Sequence, residues 1–291
     1  MADNEFNLIK FDGLGKFGKT LLEKLSNAIG WIATPDKVAQ ETYIEGVNQS
    51  DFDPLTKAAM ISNARKIIAE YSNQREIVQY AVYCIKDNAQ LDKVDNDWLS
   101  QFMDKARLVS DSDFQKIWGH ILAEECNDPG SLPRSLLHTL DKMDRKDAER
   151  FTLLGTFSVL TKDNDKYSYV PIILDSHLKD YYSPKGLDFD ALIDLKSLGL
   201  IEVDVGPFSH GYCTTLLSKP NVVFYFDKQY KVPDIMDELP VGNVLYTKTG
   251  QALRRAIKPE QQEDFFNQYC IPFWEKRVAD IAEIEKRHQG K

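Results

Sequence analysis

The feature that most constrains this chain is a helical period that runs almost unbroken from Pro35 to about Phe157. Apolar residues return every three or four positions, which puts them on one side of successive helices. Thr34-Pro35 supplies an N-cap followed by proline at the first helical position. Asp53-Pro54 opens a second helix through Ala58, Ile61, Ile67 and Ile68, and Ile77, Val78, Tyr80, Ala81 and Cys84 continue its spacing. Asp97 and Asp111 read as N-caps, each worth about 1 kcal/mol. The helices they open carry Trp98, Phe102, Phe114 and Trp118 at helical spacing, which marks these four as core. Asn127-Asp-Pro-Gly130 stops the run, and Asp144 caps one more helix carrying Ala148, Phe151 and Leu154. The pattern predicts a bundle of short helices joined by tight turns.

Ahead of the bundle, Phe6 to Phe11 reads as extended. Leu14, Phe17, Leu21, Leu25, Ala28 and Ile32 then form a helical stripe. Residues 8–32 hold four lysines against two acids in a chain whose net charge is −9. Lys16, Phe17, Lys19, Leu21, Lys24 and Trp31 are therefore candidate interaction residues on a basic amphipathic helix. Such a helix can lie on a membrane surface, enter a partner's groove, or pack on its own chain or a second copy. Gly13-Leu-Gly15-Lys-Phe-Gly18 satisfies G-x-G-x-x-G, but helix follows helix after it, and no second strand carries a ribose-binding acid.

After residue 160 the texture changes. Tyr167 to Leu174 suits a strand or a broken helix, and Phe189 to Leu200 reads as a helix ending at Gly199. Ile201 to Val205, Asn221 to Phe226 and Asn243 to Thr247 read as strands. Helix returns from Gly250 to Ile257, and a long helix with a charged end from Glu260 to His288. The expected fold is mainly α: an amphipathic segment over 1–34, a helical bundle over 35–158, then a small winged-helix-like α+β domain with a long C-terminal helix over 159–291. A winged helix raises the question of DNA, yet residues 188–256 carry seven basic side chains against nine acidic ones. Such a module lacks the dense positive field that phosphate contacts need. The Phe224-Tyr-Phe226 stretch reads as core rather than a platform for stacking bases.

The chemistry-bearing residues do not assemble into a motif. Cys84, Cys126, Cys213 and Cys270 are far apart, and His210-Gly-Tyr-Cys213 is too sparse for a zinc site. His120 and Glu124 lie one turn apart without the second histidine a catalytic zinc helix requires. His138, His177 and His288 have no nucleophile or acid in a recognisable motif beside them. Lys248-Thr-Gly250 has the form of a β-lactamase triplet, but no S-x-x-K occurs, so it reads as a strand end and helix start. No metal, cofactor or catalytic residue is therefore assigned, and the chain is read as a non-enzyme. No apolar run approaches the roughly 18–20 residues of a membrane span, and no secretory signal opens the sequence. The expectation is a cytoplasmic protein, with peripheral contact at the inner membrane through residues 8–32 as the alternative. Arg107 suits a helix end, where a cation meets the dipole favourably; an alternative joins it with Glu124 or Glu125 in a binding site.

Three stretches carry a family resemblance: Asp97-Trp-Leu-Ser-Gln-Phe-Met-Asp-Lys-Ala-Arg-Leu-Val-Ser-Asp111, Trp118-Gly-His-Ile-Leu-Ala-Glu-Glu125 and Lys146-Asp-Ala-Glu149. With Leu22-Glu-Lys-Leu-Ser-Asn-Ala-Ile-Gly30 and Leu239-Pro-Val-Gly-Asn-Val-Leu-Tyr-Thr-Lys-Thr-Gly250, the chain resembles a bacterial family known as domain of unknown function 2806. The block over 97–150 is also distantly similar to the abortive-infection alpha proteins. These resemblances imply a bacterial defence protein against phage and bring no catalytic motif. The expected function is non-enzymatic, through a protein partner, self-association or a membrane surface. The alternative is a winged-helix regulator that binds nucleic acid.

Overall fold

The computed structural model describes residues 16–31, 37–163, 166–174, 178–203, 217–218, 222–231, 238–239 and 241–276. The extended reading of Phe6–Phe11, Gly13 and Gly15, the Thr34-Pro35 cap, His177, His210, Cys213 and His288 lie outside these residues. The chain divides into two compact units, 1–137 and 138–291.

The first unit is helical. α1 (Lys16–Ile29) ends at Gly30, whose φ of +67° suits a residue without a side chain. The turn lets the Trp31 N–H return to the Leu25 carbonyl at 3.3 Å. α2 (Lys37–Gln49) and α3 (Pro54–Cys84) follow, the latter capped by Asp53, which accepts from the Leu55 and Thr56 amides. α4 (Asn96–Ala106) is capped by Asp95, 2.7 Å from the Trp98 N–H, and not by Asp97, which lies in the first turn. Only Asp95 stands three residues before Trp98, the reach an N-cap carboxylate needs. α5 (Ser112–Asn127) is capped by Asp111 as the sequence predicts. Trp98, Phe102 and Trp118 are buried, with ring centroids 5.2 and 5.1 Å apart in succession, and Phe114 meets Trp118 edge-on from a half-buried position. Burying each such ring removes a large apolar area from water and contributes roughly 1.5–3 kcal/mol. α6 (Arg134–Lys142) contains the division between the units.

The second unit starts at His138, ahead of the change in sequence texture after residue 160. α7 (Arg145–Thr156), with its Asp144/Asp147 capping box, packs on α8 (Phe189–Ser197), and Arg150 pairs with Asp194. β1 (Ser158–Asp163) and β2 (Lys166–Pro171) form an antiparallel hairpin. Its sheet is completed by β5 (Val222–Tyr225) and β6 (Lys228–Lys231) in the order β2-β1-β5-β6. Two short pairs flank it in sequence. β3 (Ile201–Val203) joins β8 (Val244–Tyr246), and β4 (Leu217–Ser218) joins β7 (Glu238–Leu239). α8, β3, β8 and α9 (Lys248–Ala256) supply the helix–strand–strand–helix frame expected of this region. Lys248-Thr-Gly250 is the first turn of α9, a helix start as the sequence predicts, while the strand before it ends earlier, at Tyr246. Thr247 caps α9 by accepting from the Gly250 N–H at 3.0 Å, and a methyl on Gly250 would sit 1.9 Å from the Leu200 carbonyl oxygen. A last helix covers 263–276, with a π-helical turn over Phe265–Cys270. Phe151, Phe157, Tyr182, Tyr225, Tyr246, Phe265, Phe266 and Trp274 are buried rings of this unit's core. The mainly α fold with a small sheet and C-terminal helix is as the sequence predicts.

Candidate functional site

The amphipathic stripe of α1 is turned into the first unit. Leu21, Leu25 and Trp31 are buried, and α1 packs on α4 and α3. Trp31 Nε1–H donates to Gln74 Oε1 at 2.8 Å, while Gln74 Nε2 donates to the Met103 carbonyl at 2.8 Å. This buried relay fixes the end of α1 to α3 and α4, so the Leu21 and Trp31 side chains are not presented to a bilayer. Lys19 is exposed, and Lys24 is half-buried with Nζ 3.4 Å from the Asp92 carbonyl. The Lys16 and Phe17 side chains lie outside the described residues.

Arg107 and Glu125 do not pair with each other. Arg107 Nη1 donates to Glu70 at 2.8 Å and its Nε to Asp104 at 3.0 Å, while its own carbonyl accepts from Asn73. It closes the end of α4 and ties it to α3. Glu125 is 1% exposed and accepts from the amides of Gly130 (2.7 Å) and Leu132 (3.2 Å), so its carboxylate shapes the turn after α5. Burial outweighs those two donors and raises its pKa above the ordinary value. Burial likewise pushes the Cys126 thiol up to about 12, far from the range of a reactive thiolate. Among the described residues no three His, Cys, Asp or Glu side chains are grouped to hold a metal.

Two other places stand out. The first is the amino-terminal part of α3. Its buried residues, Gln74, Ile77, Val78 and Ala81, all lie in its last third, and residues 54–73 include none. α2 packs on α3, and Lys57 Nζ reaches back to the Asn48 carbonyl at 2.9 Å across the turn that joins them. On this helical arm Tyr43, Phe52, Leu55 and Ile67 are exposed, Leu55 to 80%.

The second place is an open cleft of about 420 Å³ on the sheet of the second unit. Strand alternation builds its floor. Val159, Val170, Val223 and Tyr225 face the core, so their neighbours Leu160, Tyr169 and Phe224 fall on the opposite face. There Leu160 stands directly opposite both Tyr169 and Phe224, which makes one continuous cross-strand row. The reading of Phe224-Tyr-Phe226 as core therefore holds for Tyr225 alone; Phe224 and Phe226 are half-buried cleft residues.

The end of α9 and the chain after it form the wall, with Arg254, Ile257, Lys258, Pro259 and Gln261. Gln251 clamps both backbone groups of Tyr169, accepting from its N–H at 3.0 Å and donating to its carbonyl at 2.6 Å. This positions the Tyr169 ring under Arg254, whose guanidinium carbon lies 4.1 Å from the ring centroid. Arg254 is only 6% exposed. Its Nη2 donates to the Gly155 carbonyl at 3.1 Å, its guanidinium also hydrogen-bonds the Tyr246 hydroxyl, and its Nε is buried without a partner, while no described carboxylate pairs with it. Behind it Ser158 Oγ–H donates to the Leu154 carbonyl and lies 2.8 Å from the Tyr246 hydroxyl, whose pKa burial pushes up to about 12.

A family model described as protein of unknown function (DUF2806) matches residues 63–270. The chain belongs to this family. The match runs from within α3 through α9 and takes in the sheet, so the DUF2806 assignment rests on both units. No curated protein matches the chain, and no solved structure does. Among the described residues no helix of this DUF2806 protein is long and apolar enough to cross a membrane.

Sequence reasoning missed Arg254, though a signal was present. It falls on the apolar side of α9, four residues after Gly250 and three before Ile257, with Gly250, Gln251, Ile257 and Lys258 at the positions where an intrahelical acid would stand.

Proposed function

We propose that this DUF2806 protein is a non-catalytic protein of phage defence that works by binding protein, first of all a second copy of itself, through the α2–α3 arm. The supporting observation is the stretch of α3 over 54–73, which buries no side chain while carrying Leu55 at 80% and Ile67 at 43% exposure, with Tyr43 and Phe52 also exposed on the same arm. Several large exposed apolar side chains on one arm cost solubility and suit a contact surface. The charges favour a second copy. α2 carries exposed Glu41 and Glu45, and α3 carries exposed Arg65 and Lys66, so two arms laid antiparallel set acids against bases. The distant similarity of the 97–150 block to abortive-infection proteins supports phage defence as the process.

Sedimentation velocity of the full chain over a wide concentration range, beside a plaque assay, tests the reading. The double variant Leu55→Glu/Ile67→Glu places charges at exposed sites. It should remain folded, sediment as a monomer where the parent is a dimer, and lose protection against phage. The proposal fails if the parent is monomeric at every concentration, or if the monomeric variant protects as well as the parent. It also fails if the parent instead binds anionic vesicles or duplex DNA at low salt.

A further inference from the structure

We infer that the cleft over β2-β1-β5 is a binding site for a small organic anion that carries a flat ring, with its acidic group held by Arg254 and Lys258 and its ring laid against Phe224 and Phe226. The inference starts from a charge that the fold leaves uncompensated. A guanidinium carries five N–H donors, and in Arg254 the Gly155 carbonyl takes one at Nη2 and the neutral Tyr246 hydroxyl another, while the buried Nε–H finds no partner. A buried cation normally has an acid beside it, because removing it from water unpaired is costly. No described carboxylate lies within pairing distance of Arg254, and Lys258 in the same wall is exposed and makes no ion pair with a described residue.

The surroundings specify more than an anion. The fork of a guanidinium matches the two oxygens of a carboxylate or phosphate. Gln251 fixes Tyr169, and Tyr169 in turn fixes the guanidinium plane, so the fork is set before any ligand arrives. The floor is aromatic and apolar, through Leu160, Tyr169 and Phe224, and Phe226 continues it. A volume of about 420 Å³ lies within the size range of small-molecule sites and exceeds what a bare inorganic ion fills. Asp227 also lines the cleft. It repels a second acidic group and offers an acceptor to a ring N–H or amino group. A nucleoside monophosphate and an aromatic carboxylate share this chemistry.

Thermal melting and titration calorimetry of the full chain with adenosine 5′-monophosphate, benzoate and inorganic phosphate test the site. At least one of the two ring-bearing anions should raise the melting temperature in a saturable manner, and inorganic phosphate alone should do so less. Which of the two binds better separates a phosphate from a carboxylate source. Lys258→Glu, at an exposed position, should weaken binding about tenfold or more, the loss expected for one charged hydrogen bond. Phe226→Ala should lower the affinity for the ring-bearing anion and leave that for inorganic phosphate unchanged. Arg254→Met should abolish binding; if that variant does not fold, Lys258→Glu and Phe226→Ala decide the matter. The inference is overturned if neither ring-bearing anion stabilises the parent at millimolar concentration, or if Lys258→Glu and Phe226→Ala bind as the parent does.

Discussion

Gly119 offers a sharp test of how the first unit is packed. α5 crosses α3 at this glycine so closely that a methyl placed there would lie 2.5 Å from Tyr80 Cβ, 3.0 Å from the Ile77 carbonyl oxygen and 3.1 Å from the Ala81 nitrogen. Carbon atoms pack best at about 3.5–4.0 Å, so Gly119→Ala requires the helices to part by roughly 1 Å. Both carbons are bonded to helix backbones, and neither can rotate aside. Overpacking of this kind costs about 1–3 kcal/mol, and the upper half of that range applies to a rigid contact. The better helix propensity of alanine returns about 1 kcal/mol, leaving a net loss of roughly 1–2 kcal/mol. Gly46 in α2 is the matched control. It is helical and has nothing within 4 Å of the added methyl, so Gly46→Ala should stabilise by about 0.5–1 kcal/mol. Urea unfolding followed by tryptophan fluorescence reports mainly on this unit, because Trp31, Trp98 and Trp118 lie in it and only Trp274 lies outside. With a slope near 2 kcal/mol per molar, Gly119→Ala should lower the midpoint by about 0.5–1 M. Gly46→Ala should raise it. A shift of the same sign for both substitutions would refute the close helix crossing.

Two further predictions concern buried polar groups of the same unit. Burial raises the Glu125 pKa above its ordinary 4.5, so the folded chain holds this proton more tightly than the unfolded one. Its contribution to stability is therefore fully present below pH 4.5 and is lost as the pH rises through the raised value. Glu125→Gln cannot titrate, so the difference in urea midpoint between parent and variant should change over this window; a difference independent of pH between about 4 and 7 would show that the amides of Gly130 and Leu132, and not burial, dominate. Gln74→Leu strands the Trp31 indole N–H and leaves the Met103 carbonyl only its 3.3 Å bond from the Arg107 N–H, and should cost about 1–3 kcal/mol. Adding Trp31→Phe removes one stranded group, so the double variant should lose less than the sum of the single losses, and strict additivity in the mutant cycle would count against the relay.

How far the sequence foretells this molecule depends on whether a feature is decided locally. Asp111 as a cap follows from a local rule and holds in the structure, and the helical period places Trp98, Phe102 and Trp118 in the core while Phe114 is only half-buried. Reading Asp97 as the cap of α4 falls two residues late because Asp95-Asn-Asp97 offers three capping side chains in a row, and only the reach to the Trp98 amide selects among them. β1 is harder to see. Ser158-Val-Leu-Thr-Lys-Asp163 is short, and one of its partners, β5, pairs through Leu160 and Phe224 from 64 residues away along the chain. That same distant pairing creates the face on which Tyr169, Leu160 and Phe224 meet, so the cleft floor has no local signature. Arg254 combines both situations. Its place on the apolar side of α9 is readable from spacing, but its want of an acid partner is a property of the assembled unit. The contrast with Glu125 gives this arginine its meaning. Each is a charged residue in a buried position, yet Glu125 faces two amides in a turn that its own helix delivers, whereas Arg254 meets one carbonyl, the neutral Tyr246 hydroxyl and an aromatic face. A carboxylate satisfied by its own chain accounts for itself through the fold, while a cation left one acid short in a ring-lined cleft is complete only with a ligand.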